Sequence, residues 1–256
     1  MENLKPTANV SIVNQGKNIK VLNKRVYVGL YKDFVKRIQN IPLNEIFEEI
    51  KTGIYKDDVE CLRGFKQMGN DVLANSLKNK LFGFTTSGTF GAPRSKDTIE
   101  TYSQVICLDF DNVQETELEE LKRSVSNCPY TLASFISPSG QGLKVFTLVD
   151  SNADTHTETY IQAGNYYKEL TGFDYDAKCK DITRLCFVSY DPELFYNENA
   201  EVFSMEEKTQ PAVSGVRRES TNIIATEETL YECLKFTEKK KTILQWEPKQ
   251  FHLPFC

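Results

Sequence analysis

The chain has 256 residues, 40% of them hydrophobic, and a formal net charge of -5. That is enough apolar surface for a real core, and it excludes a chain too polar to fold as well as a polycation that coats nucleic acid indiscriminately. No apolar run is long enough to cross a bilayer, and the N-terminus "MENLKPTANVSIVNQG" lacks the apolar stretch of a secretory leader, so a cytoplasmic address and no membrane partner are expected. The seven cysteines are odd in number and scattered without a C-x-x-C pair, which fits reduced thiols. The two histidines, His156 and His252, have no other ligand or nucleophile nearby in sequence. Chemistry is therefore expected to run on carboxylates, hydroxyls, Lys and Arg rather than on histidine triads or zinc.

In chain order, "VSIVNQGKNIKVLNKRVYVGLY" alternates and reads as a hairpin or meander within a basic region. Lys5, Lys17, Lys20, Lys24, Arg25, Lys32, Lys36 and Arg37 face only Glu2 and Asp33 there, as a solvated basic face or a phosphate-contacting one. "LNEIFEEIK" and "DVECLRGFKQMGNDVLANSLKNKL" carry apolar residues at helical spacing, and the second is expected to continue through its internal glycine. "LFGFTTSGTFGAPRSKDT" reads as a short strand with a Gly-rich basic loop, where Arg94, Ser95 and Lys96 can serve a turn or a phosphate.

From residue 104 the pattern sharpens. Strand "QVICLDF", helix "TELEELKRSVSN", strand "YTLASFIS", turn "PSGQG", strand "LKVFTLV", a helix over about 155 to 171 and strand "RLCFVSY" follow in order. The expected fold class is α+β: a ferredoxin-like or RNA-recognition-like split βαββαβ sheet packed with an N-terminal α/β unit. The expected units are 1–100, N-terminal; 101–205, catalytic; 206–222, a linker; and 223–256, the start of a helical module and a tail.

"VICLDFDNV" places Asp109 and Asp111 on one face of a strand and Ile106, Leu108 and Phe110 on the other. Two like charges so close call for a divalent cation, or else the strand ends at Phe110 and a turn begins. In the split arrangement the first strand is flanked by the third and fourth, so "DFD", "GQGLK" and "DYDAKCKDITR" meet at one sheet edge.

These three segments resemble motifs of the archaeo-eukaryotic primase superfamily, in the primase-polymerase form that precedes VirE-type regions in bacterial mobile elements. "LDFDN" is similar to its hhDhD signature, "SPSGQGLKVF" to S-G-x-G-x-H-h, and "FDYDAKCKDITRLCF" to its D-x(7)-R signature. The resemblance implies a DNA primase-polymerase-like nucleotidyltransferase. Asp109, Asp111 and Asp176 would be its catalytic, metal-holding carboxylates, with Asp174 competing for the third place. Ser137, Ser139, Gly140, Gly142, Lys144 and Arg184 would be its nucleotide contacts. It further implies Mg²⁺ or Mn²⁺, nucleoside triphosphates and a single-stranded DNA template; the family continues into a helical module and often a helicase, and with no G-x-x-x-x-G-K-[ST] here the expectation is a truncated gene or else a helicase encoded separately. Lys144 stands where most of the superfamily has histidine, and is expected beside Asp109 facing the triphosphate. Arg184 has a second reading as a salt-bridge partner of Asp181, and Phe90 and Tyr102 are either core or base-stacking residues. Asparagine at 109 or 111 is expected to leave the fold intact and, by relieving repulsion, to raise the metal-free melting temperature.

Two alternatives carry other chemistry. "DFDNV" also fits the D-x-D-x-[TV] of haloacid-dehalogenase-like phosphatases, which need a doubly wound sheet. A catalytically inactive nucleic-acid-binding replication scaffold would keep the fold without needing the three carboxylates.

Overall fold

A computed structural model describes residues 26–32 and 34–204. Most of the basic N-terminal region, and the expected linker, helical module and tail, lie outside the described residues.

The strands are β1 (Tyr27–Lys32), β2 (Lys36–Pro42), β3 (Gly83–Thr85), β4 (Gly88–Phe90), β5 (Ile99–Tyr102), β6 (Val105–Asp111), β7 (Thr131–Ile136), β8 (Gly142–Asp150), β9 (Leu185–Phe187), β10 (Phe195–Tyr196) and β11 (Phe203–Ser204). The helices are α1 (Leu43–Thr52), α2 (Lys56–Gln67), α3 (Asp71–Lys78), α4 (Glu115–Ser126) and α5 (His156–Thr171), with 3₁₀ turns at Lys96–Thr98 and Ala177–Lys180. The architecture is mixed α/β with largely antiparallel sheets. One sheet has the order β2-β1-β3-β9. In a second, β8 is flanked by β6 and β7, β10 extends beyond β7, and β11 joins the end of β8 in parallel, while β4 and β5 form a two-stranded antiparallel sheet.

The helix expected through residues 58–81 is two helices. Gly64 is tolerated inside α2, but the chain turns at Gly69, which sits at φ +72°, and Asn70 caps α3 by accepting the Leu73 N–H at 3.2 Å. A left-handed residue followed by an Asn cap is a stop and a restart, and it outweighs the apolar periodicity. Since a Cβ at Gly69 meets open space, Gly69→Ala isolates the backbone strain. It is expected to cost about 1 kcal/mol, a melting-temperature drop of about 2–4 °C by circular dichroism.

The alternation of β6 divides two cores. Ile106, Leu108 and Phe110 face α4 and α5, joining Leu118, Leu121, Val125, Tyr160 and Tyr167. On the opposite face Val105 belongs to the core between the sheets, built from β1, α1, α2, β3, β7 and β8 with Phe47, Phe84, Phe135 and Phe146 at its centre. Asp109 and Asp111 continue this second face beyond the apolar filling.

The split arrangement is corrected at its last strand. β9 does not flank β6; it pairs antiparallel with β3 in the other sheet, Phe84 opposite Cys186. The preceding segment is locked by local polar bonds that oppose extension. Asp176 caps the Ala177–Lys180 turn by accepting the Lys178 N–H at 2.9 Å, and Asp181 Oδ1 accepts from Thr183 N and Oγ1 at 2.8 and 2.9 Å. Its recorded backbone link to β6 is the Asp176 N–H donated to the Asp109 carbonyl at 2.7 Å. The antiparallel β6–β8 and β7–β8 pairings also differ from the parallel, doubly wound sheet that the phosphatase reading needs.

Candidate functional site

Because β9 crosses to the other sheet, the site is a cleft between two sheets rather than one sheet edge. A cavity of about 110 Å³ is lined from one side by Cys107, Asp109, Asp111 and Lys144 and from the other by Arg184, Leu185, Cys186 and Phe187. Lys78, at the C-terminal end of α3, also lines it.

Strand register sets the chemistry at its floor. Asp109 lies directly across from Lys144 on β8, and Asp111 across from Gly142. The Lys144 ammonium makes a close ion pair with Asp109 Oδ1 and stands 4.0 Å from Asp111 Oδ1. Asp109 and Lys144 are nearly buried, at 11% and 12% side-chain exposure, whereas Asp111 is half-exposed at 49%. A glycine at 142 is needed because a Cβ there would lie 2.4 Å from the Phe110 carbonyl oxygen. The sequence expectation of Lys144 beside Asp109 matches this register, but the ammonium faces the carboxylates.

Burial by itself would lower the Lys144 pKa; Asp109 above all, with Cys186, Cys107 and Asp111, outweighs it and holds the ammonium above its ordinary value. Burial pushes the Asp111 carboxyl up, Lys144 opposes that, and the neighbouring Asp109 adds to it. A carboxyl raised in the folded state favours folding below its unfolded pKa, a contribution lost as pH rises through the folded value. Asp111→Asn is therefore expected to raise the metal-free melting temperature at pH 7, by a small amount because the group is half-exposed. A rise of about 1–3 °C at pH 7 that vanishes near pH 4 is the expected differential-scanning result; a fall at pH 7 would contradict the assignment.

The remaining expected residues divide. Asp176 is half-buried and held below the ordinary carboxylate range: burial pushes it up, but the Lys178 N–H, the Cys179 thiol and the positive charges of Arg184 and Lys178 outweigh that. Between it and Asp109 stands Cys179, whose Sγ lies 3.6 Å from Asp109 Oδ2 and 3.4 Å from Asp176 Oδ2. Asp174 pairs instead with Lys168 at 2.6 Å on the surface. The Arg184 side chain is exposed, lines the cleft, and has no ion pair among the described residues; only its backbone N–H bonds Asp181, at 3.0 Å to the carbonyl.

The turn 137–142 sits beside the cleft. Ser139 and Gly140 line an adjoining cavity with Arg63 and Lys66, and two of the turn's N–H groups close the turn itself, Ser137 to Gly142 and Gly140 to Ser137. Ser137 Oγ lies 3.0 Å from Ser139 Oγ, while Arg63 Nη2 donates to the Ser137 and Tyr190 carbonyls at 3.0 Å. Arg63 was not legible as a partner of this turn, lying 74 residues away. Arg94 and Lys96 do not line this cleft; Arg94 donates to the Phe34 carbonyl and Lys96 pairs with Asp154. Phe90 is fully buried, as a core residue, and Tyr102 bonds Ser151 and His156.

Sequence reasoning also passed over His156 and Lys78. His156 lines the cleft with Nδ1 3.0 Å from the Tyr102 hydroxyl, and burial lowers its pKa to about 4, so it is a neutral imidazole there. Neither residue belongs to a motif; only the tertiary fold brings it in.

Asp109 and Asp111 are the carboxylates of this cleft that could hold a divalent cation. Among the described residues, no three acidic, thiol or imidazole side chains converge as a protein-only cage. Asp109 Oδ1, however, is buried and among the described residues has no hydrogen-bond partner besides the Lys144 ion pair. Mg²⁺ or Mn²⁺ held by these two carboxylates would need phosphate oxygens or water to complete its shell.

Residues 76–196 match the family model described as BT4734-like, N-terminal domain. Among solved structures, the AEP domain of the cyanophage S-2L primase-polymerase is similar at 11% identity, covering 71% of this chain and 86% of that one with a TM-score of 0.38. No curated protein matches the chain.

Proposed function

We propose that this chain is a primase-polymerase-like nucleotidyltransferase of the VirE-associated kind found in mobile elements. It would act in the cytoplasm on a single-stranded DNA template with nucleoside triphosphates. The observation that carries the reading is that the three resembling motifs, up to 75 residues apart in sequence, contribute Asp109, Asp111, Lys144 and Arg184 to one small cleft. Asp109 and Asp111 would hold Mg²⁺ or Mn²⁺, with Asp176 as an outer carboxylate; such cations lower the pKa of an attacking hydroxyl and neutralise phosphate charge. Arg184 and Lys78 supply positive charge at the cleft for a triphosphate. Arg184, exposed and without an ion pair among the described residues, is well suited to a forked contact with phosphate oxygens. Ser139 and Gly140 would serve the nucleotide from the adjoining cavity.

The test is template-directed incorporation of labelled nucleotides with Mg²⁺ or Mn²⁺, with and without a primer. Incorporation that needs template and metal is expected; none by folded protein under all four conditions would overturn the reading. The scaffold reading has one observation of its own, that Lys144 neutralises the carboxylates internally. It predicts template binding without incorporation.

A further inference from the structure

The ribbon of β1 and β2 leaves large apolar side chains in water: Phe34 is 48% exposed, Val35 85% and Ile38 46%. Between the ribbon tip and the loop that follows β4 lies a groove of about 510 Å³, lined by Tyr31, Phe34, Val35, Arg37, Pro93 and Arg94. The two guanidiniums are fixed at its rim. Arg94 lies over the Tyr31 ring at 4.8 Å and donates through Nη1 to the Phe34 carbonyl at 2.9 Å. Arg37 donates through Nη1 to the Phe90 carbonyl and to Glu100. Each therefore keeps further N–H donors of its five-donor fork.

From this groove and its charges we infer that the ribbon is a stacking surface for the unpaired bases of a single nucleic-acid strand. Charge selects the partner. In a chain of net charge -5, the stretch 31–42 carries Lys32, Lys36 and Arg37 against Asp33; around it Arg94 adds a fourth cation and Glu100, paired with Arg37, a second anion. A single strand meets both demands at once, with π faces for Phe34 and phosphates for the cations, whereas a duplex keeps its bases stacked inside. The surface is also continuous with the cleft. Phe34 meets Phe187 edge-on at a centroid distance of 5.7 Å, and Lys78 Nζ lies 5.5 Å over the same Phe187 ring. Phe187 and Lys78 both line the carboxylate cavity. A strand lying on the ribbon is thus led towards Asp109 and Asp111. This deepens the functional reading above and takes from it only what the strand meets at the end of that path.

The test is fluorescence anisotropy of the full chain with a labelled oligothymidylate and a duplex of equal length, in EDTA and without nucleotides. Phe34→Ala is expected to weaken single-strand binding about tenfold, Phe34→Trp to restore most of it, and duplex binding to change little. In wild type, a 5-iodouracil oligonucleotide should crosslink within residues 31–37, a readout independent of any variant's folding. Equal single-strand affinity in wild type and Phe34→Ala, or crosslinks confined to other segments, would overturn the inference. So would loss of a dimer by light scattering in Phe34→Ala with unchanged oligonucleotide binding, since the ribbon would then be a self-association face. Phe34-dependent binding by a wild type that incorporates no nucleotide would remove the catalytic reading and leave this one standing.

Discussion

Asp109→Asn is expected to reduce template-directed incorporation by about a thousandfold or more and, at the same time, to destabilise the protein. The catalytic loss follows from removing one of two carboxylates that would anchor the cation. Charge stabilisation worth about 4 kcal/mol corresponds to three powers of ten in rate. The stability loss follows from the ion pair. Asp109 and Lys144 are both nearly buried, so the amide leaves an ammonium without its main counter-charge. Breaking a buried pair from one side costs about 3–5 kcal/mol, which for a domain of this size is on the order of 6–20 °C. Here the structure corrects the sequence expectation that either asparagine leaves the fold intact and relieves repulsion. Only Asp111, half-exposed and with a raised carboxyl pKa, keeps that behaviour. Activity is compared at a temperature where circular dichroism shows both proteins folded. Wild-type incorporation by Asp109→Asn would sink the carboxylate assignment, and an unchanged melting temperature would sink the account of the ion pair.

Much of the cleft was legible because period-two alternation is a local signal. It told which side of β6 the carboxylates take, and the Gly-rich turn between two strands told that Lys144 returns beside Asp109. The direction of the Lys144 ammonium was not legible. It depends on how deeply Asp109 is buried, and that is set by the inter-sheet core rather than by neighbours in sequence. The destination of β9 was hidden for a related reason. Leu185, Cys186 and Phe187 are only a three-residue strand, compatible with either sheet, and the choice is made by a segment whose Asp176 and Asp181 fold it into local turns. The break at Gly69 was not legible, because periodicity gives no sign of a left-handed residue. The ribbon aromatics were visible as letters of the sequence; that Phe34 touches Phe187, 153 positions later, was not.

Lys144→Met is the complementary experiment, because it removes the internal cation and keeps an apolar stem of similar length. Without metal, Asp109 is left buried with its charge facing Asp111 alone, and a loss of about 3–5 kcal/mol is expected. The two carboxylates must then find another positive partner. A proton is one: without Lys144 to oppose burial, the already raised Asp111 carboxyl rises further in the variant, so its stability grows as the pH is lowered through that folded value, the sign required of a raised carboxyl. A divalent cation is the other. Metal that binds only the folded state stabilises by about 2.7 kcal/mol at a hundredfold excess over its dissociation constant. In wild type the same ion must compete with the Lys144 ammonium for Asp109. Mn²⁺ should therefore raise the melting temperature of Lys144→Met several degrees more than that of wild type, and Asp109→Asn combined with Lys144→Met should abolish the difference. The nucleotide response separates the two roles of Lys144. If the ammonium swings to a triphosphate during turnover, the apparent nucleotide constant of the variant rises about tenfold. If it serves only as a counter-charge, metal restores stability with no change in that constant. Equal Mn²⁺ shifts in wild type and Lys144→Met would mean that the carboxylates do not hold a cation, and the inactive-scaffold reading would then account for the cleft better than catalysis does.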